Sequence, residues 1–147
     1  MNQRVKAALM ALTLLSLSAS AWGAGSVTVT ATNVGAGVTR YDVAWTSSAA
    51  GAVSGNTIAI RKGHVKMAEF RPGTGGTQPT DLYDAVLNDA AGVDWLDGQG
   101  ANLSNATGAP LILFAPEPYY DGVAAMDLVI SNAGNAKTGT FVLWVGP

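Results

Sequence analysis

One histidine and no cysteine bound the chemistry open to this chain. His64 stands between Lys62 and Lys66 in a strand-like alternation, on the side opposite Val65 and Met67. Without a second imidazole or any thiolate, zinc at His64 would have only carboxylates to complete its shell. Serines and aspartates are plentiful enough to draw a Ser-His-Asp triad, but no G-x-S-x-G elbow presents a nucleophile. His64 therefore reads as a solvated strand residue. Among the acids, no pair stands out for glycoside hydrolysis, which also needs a cleft lined with more aromatics than this chain has to spare. Asn88, Asp89, Asp94 and Asp97 gather around Gly92 and Gly98, an oxygen-rich set of the kind that binds calcium. Their spacing is not that of an EF-hand loop. The same residues are standard hairpin-turn formers, because they tolerate positive φ and cap their own backbone. Turn chemistry is the preferred reading, and no catalytic, cofactor or metal residue is assigned. Asn102-Leu103-Ser104 and Asn105-Ala106-Thr107 match the N-glycosylation pattern, a three-residue match that assigns no site.

The elements that would position these residues are short and extended. Val27 to Thr30 alternates with period two, and so does the stripe of Tyr41, Val43 and Trp45 against Asp42, Ala44 and Thr46. Thr57 to Ile60, Val65 to Phe70, Leu82 to Leu87, Val93 to Leu96, Leu111 to Phe114, Met126 to Ile130 and Phe141 to Val145 continue the series. Gly, Asn, Asp and Pro clusters separate them. Many short strands with regular turn signals predict an all-β fold, a single antiparallel β-sandwich of jelly-roll or immunoglobulin-like kind. Ala101 to Ala106 has room for one helical turn, weakened by its Gly and Asn surroundings. The stretch from Pro72 to Pro79 reads as a mobile loop between two strands.

Residues 1–23 read as a secretory signal peptide. Arg4 and Lys6 form a positive start, Ala7 to Leu17 an apolar run, and Ala19-Ser20-Ala21 a cleavage signal. The run is shorter than the roughly 20 residues that span a bilayer. Cleavage would leave a mature N-terminus near Trp22 or Ala24 and one domain over residues 24–147, exported and no longer held at a membrane. That domain carries six basic and ten acidic residues, a balance of −4, and so has no electrostatic reason to bind nucleic acid. Export without disulfides suits a Gram-negative periplasm, a cell surface or a virion. Charged residues make up only 12% of the chain, about half the usual share, which suits a subunit covered by neighbours better than a free monomer.

Two segments are candidate interfaces. In the last strand, Phe141, Leu143 and Val145 point one way and Val142 and Trp144 the other, so both faces call for a cover. Between Pro116 and Gly122, Tyr119 and Tyr120 offer amphipathic contact area. Tyr119, Tyr120, Phe141, Val142 and Trp144 are therefore the expected contact residues for self-association or for other subunits.

Gly75-Gly76-Thr77-Gln78-Pro79-Thr80-Asp81-Leu82-Tyr83-Asp84 and Leu87-Asn88-Asp89-Ala90-Ala91-Gly92-Val93-Asp94 are followed by Gly98 to Asn105 and by Ser131 to Thr140. In that order they resemble a recurrent pattern in small bacteriophage virion-associated structural proteins. The resemblance covers Val53 to the C-terminus and implies a structural role without catalytic residues. An export signal departs from it, since virion subunits assemble in the cytoplasm. The expected function is that of a non-enzymatic virion component of decoration, tail or head-tail type. The alternatives are an exported bacterial or prophage surface protein that binds or blocks a receptor, and a carbohydrate-binding module.

Overall fold

A computed structural model describes residues 24–106, 111–113, 119–120 and 124–147; the expected signal segment lies outside them. Among the described residues there is no α-helix, and nine strands form two antiparallel sheets. They are β1 (Ser26–Gly35), β2 (Val38–Thr46), β3 (Ile58–Ile60), β4 (Gly63–Pro72), β5 (Asp84–Asn88), β6 (Leu111–Leu113), β7 (Tyr119–Tyr120), β8 (Ala124–Ser131) and β9 (Thr138–Gly146). The first sheet has the order β1-β2-β9-β4-β6, with β7 also pairing β4; the second has the order β3-β8-β5.

The second sheet shows why alternation makes strands. In β8, Ala124, Met126, Leu128 and Ile130 are buried while Ala125, Asp127, Val129 and Ser131 are exposed or half-buried, as a side-chain period of two requires. On β2, Tyr41, Val43 and Trp45 are buried in the same way. These side chains join Ile58, Ile60, Phe70, Leu87, Phe141 and Leu143 in one apolar cluster drawn from both sheets. Phe70 and Phe141, paired across β4 and β9, have ring centroids 4.8 Å apart. Trp45 and Tyr83 lie 5.9 Å apart, and burial of Tyr83 pushes its phenol up to about 12.

Three expectations are corrected. The alternation of Val65 and Met67 breaks, because β4 bulges against β9 between these residues. One extra residue flips the strand, so Val65 pairs Val145 on the core face while Met67 pairs the half-buried Trp144 on the other. Val93 to Leu96 is no strand: apart from a bridge of Asp94 to Asn88 it turns. The segment from Pro72 to Pro79 does connect two strands, as expected, and crosses from the first sheet toward β5 of the second. It holds a 3-10 turn over Gly75–Thr77, Gly73 N donates to Thr138 O at 2.8 Å, and Lys137 Nζ donates to Gly76 O at 3.0 Å. Residues 101–106 make no helical turn; Leu103 instead bridges Tyr83, its N–H donating to Tyr83 O at 2.7 Å.

Candidate functional site

His64 opens β4 beside the turn Arg61-Lys62-Gly63. Gly63 has a φ of +147° and lies against the Gly146 carbonyl, where a Cβ would sit 2.5 Å from the oxygen. Only glycine lets the two backbones approach this closely. The turn is anchored to β2, because Arg61 N donates to Tyr41 OH at 2.8 Å and Arg61 Nη1 donates to Thr39 Oγ1 at 3.0 Å. Backbone pairing of Gly63 with Tyr120 and of His64 with Tyr119 brings β7 alongside. The His64 and Tyr119 rings then lie 4.7 Å apart at 48°, and Lys62 Nζ stands 5.9 Å from the Tyr119 centroid, within cation–π range. The result is an open cleft of about 500 Å³ lined by Arg61, Lys62, Gly63, His64, Tyr119 and Pro147. Its lining offers cations, an imidazole and a phenol, which suit binding a polar group. His64 is thus half-buried against a tyrosine, not simply solvated. Nothing local in the sequence signals that contact.

The oxygen-rich segment is occupied by its own backbone. Asp89 Oδ1 accepts from Ala91 N and Val93 N, each at 2.9 Å, and Asp89 Oδ2 accepts from Trp95 Nε1 at 3.3 Å. Asp94 accepts from Leu87 N, Leu96 N and Gly98 N at 3.2, 2.9 and 3.0 Å. The Val93 N–H, foremost among these donors, holds the Asp89 carboxyl below its ordinary value. On the first sheet, Glu69 is held low chiefly by its hydrogen bond with Arg71. Among the described residues, no group of three or more His, Asp or Glu side chains is placed to hold a metal ion.

The Gly- and Asn-rich segments 75–84, 98–105 and 131–140 converge. Asn105 Nδ2 donates to Pro79 O at 2.9 Å, Gln78 Nε2 donates to Asn105 O, and Asn105 N donates to Asp81 Oδ1 at 3.2 Å. Asp84 accepts from Asn102 N at 2.9 Å and from Asn132 Nδ2 at 2.7 Å. Thr80 N donates to Ala133 O at 2.8 Å. Stretches far apart in the chain thus form one hydrogen-bonded loop cluster beside β5 and β8 of the second sheet.

The expected contact residues separate. Phe141 lies in the core. Val142, on the opposite face, is also 0% exposed. It pairs between Asp42 and Glu69, and the ion pairs Arg40–Asp42 at 2.8 Å and Glu69–Arg71 at 2.6 Å flank it. Arginine stems on such a face cover apolar surface, so this part of β9 is covered from within the chain. Trp144 is half-buried and Tyr119 is 50% exposed; Tyr120 is placed by its backbone pairing with Gly63. Trp45 is core, Trp95 packs against the core from the loop that follows β5, and Tyr119 stands beside β4 of the first sheet.

A feature missed in the sequence lies at the other end of the first sheet. β1 is exposed at every position except the half-buried Val27, and among the described residues it pairs only with β2. Its alternation was legible; its place at a sheet edge was not. No known protein family, curated protein or solved structure matches the chain.

Proposed function

We propose that the chain is a non-enzymatic structural subunit, a β-sandwich that works by assembly as a phage virion component of decoration, tail or head-tail type. The observation that supports this most is β1, a ten-residue strand at the edge of the first sheet with no charged residue and no proline. Free proteins protect such edges with charge, proline, bulges or shortness, because unpaired N–H and C=O groups recruit other strands; the one irregularity of β1 lies at its far end, between Asn33 and Gly35. An edge left long and neutral suits a subunit that meets neighbours. The resemblance of residues 53–147 to virion-associated proteins points the same way. So does the use of the acidic loop residues, whose oxygens hold backbone N–H groups.

The test is quantitative mass spectrometry of purified particles from the native source. The expected result is the chain in a fixed ratio to the major subunits, surviving a high-salt wash. Recovery only as a free protein with a hydrolytic activity would overturn the reading. The second reading, an exported surface protein, is favoured by the signal-like pattern of Arg4, Lys6 and the run from Ala7 to Leu17. It predicts an intact mass lacking residues 1–21 or 1–23, whereas retention of Met1 in assembled particles would count against it.

A further inference from the structure

We infer that the partner of β1 is a second copy of this chain, joined β1 to β1 in antiparallel register about a two-fold axis at Val29. This rests on the assembly reading and names its first contact. Among the described strand edges, β1 alone is both long and uncovered. β6, β7 and β3 have three, two and three residues. The outer edge of β5 is occupied: Ala85 N donates to Gly100 O at 2.8 Å and Trp95 N donates to Leu87 O at 2.8 Å.

The face chemistry of β1 matches its own reverse. Register with β2 places Val27, Val29 and Ala31 opposite Trp45, Val43 and Tyr41 on the core side. The three-stranded second sheet does not extend to cover them, and Val29 is 38% exposed. Thr28, Thr30 and Thr32 point to the other face, opposite Ala44, Asp42 and Arg40. A two-fold that keeps the core sides together must pair odd positions with odd and even with even, since directly paired residues share a face. Centring it on Val29 sets Val29 against Val29, Val27 against Ala31, Thr28 against Thr30 and Ser26 against Thr32. Apolar meets apolar and hydroxyl meets hydroxyl, the pairs that stabilise adjacent strands. Moving the axis to Thr30 would set Val27 against Asn33. Charge raises no obstacle either: β1 has none, and the nearest charges, Arg40 and Asp42 on β2, neutralise each other at 2.8 Å. The contact is isologous and closes on itself, giving one continuous sheet across two molecules.

The absence of cysteine makes the test clean. In the protein as isolated, Val29→Cys should form a disulfide-linked dimer on mild oxidation, because the two Cβ atoms at the axis approach to bridging distance. Ala31→Cys, whose mate is Val27, and Leu82→Cys, at an exposed site outside β1, should cross-link far less. Val29→Lys should raise the dimer dissociation constant severalfold, up to about tenfold, because it removes the Val–Val pair and also sets like charges face to face, with native circular dichroism kept. A wild type that sediments as a monomer, with Val29→Cys cross-linking no faster than Leu82→Cys, would overturn the inference. If the chain is nevertheless found in a fixed ratio in particles, the self-pairing falls and the structural-subunit reading stands. Its absence from particles despite efficient Val29→Cys cross-linking would have the reverse meaning.

Discussion

Asp94 shows how this chain uses an acidic residue. Its two oxygens accept three backbone N–H groups, from Leu87, Leu96 and Gly98, and so hold the loop that shields β5. Asp94→Ala strands those donors and should lower stability by roughly 1–3 kcal/mol, read as a lower urea midpoint with an unchanged slope. Asp89 adds a pH dependence of known sign. Its folded carboxyl titrates below the ordinary value of 3.8, held there first by the Val93 N–H. Its contribution is therefore fully present above that ordinary value and is lost as pH falls through the lowered folded one. Urea midpoints taken from about pH 5 downward should fall less steeply for Asp89→Asn than for the wild type. An identical slope in both proteins would place the acid sensitivity elsewhere, with the Glu69–Arg71 pair the next candidate.

β9 is the element on which the first sheet depends. It lies between β2 and β4, so both its edges are paired and its side chains are divided between two covers. Phe141 meets Phe70 in the core, and Phe141→Ala should cost roughly 3–5 kcal/mol. Trp144 lies half-buried on the opposite face, paired with Arg40 and Met67. Trp144→Ala should cost less, on the order of 1 kcal/mol, and leave a folded protein. Chemical denaturation of the two variants side by side checks the order. If the Trp144 variant unfolds first, that face contributes more to folding than its partial exposure suggests.

At the scale of the molecule, one apolar cluster is drawn from both sheets, and Ser47, just after β2, donates its Oγ to Gly134 O in the turn that follows β8. Neither sheet has a separate core to fall back on. Unfolding should therefore be a single cooperative transition. Tryptophan fluorescence and far-ultraviolet circular dichroism should give superimposable urea curves; Trp45 reports from the first sheet and Trp95 from beside the second. Two separated midpoints would mean that the sheets open independently. In the monomer β1 touches this core only through the half-buried Val27, so local opening there should precede the global transition in hydrogen exchange, and pairing with a second copy should slow it.

What the sequence determined by itself is local. A side-chain period of two makes strands, so the stripe of Tyr41, Val43 and Trp45 was legible as core. Asn, Asp and Gly favour turns because they accept positive φ, and Asn132 and Gly134 do turn the chain between β8 and β9 with φ of 60° and 84°. Which strand lies beside which is not local. It depends on pairings such as that of β2 with β9, across most of the chain. Only the tertiary structure decided that Val142 is covered by the ion pairs on β2 and β4, and that the bulge after Val65 turns Met67 away from the core. It also set His64 against Tyr119 and gathered the separate Gly- and Asn-rich segments into one cluster. β1 and β2 carry the same alternating pattern, yet one lies at a sheet edge and the other inside the sheet. Alternation specifies which face of a strand is apolar, whereas a free edge is a property of the neighbours.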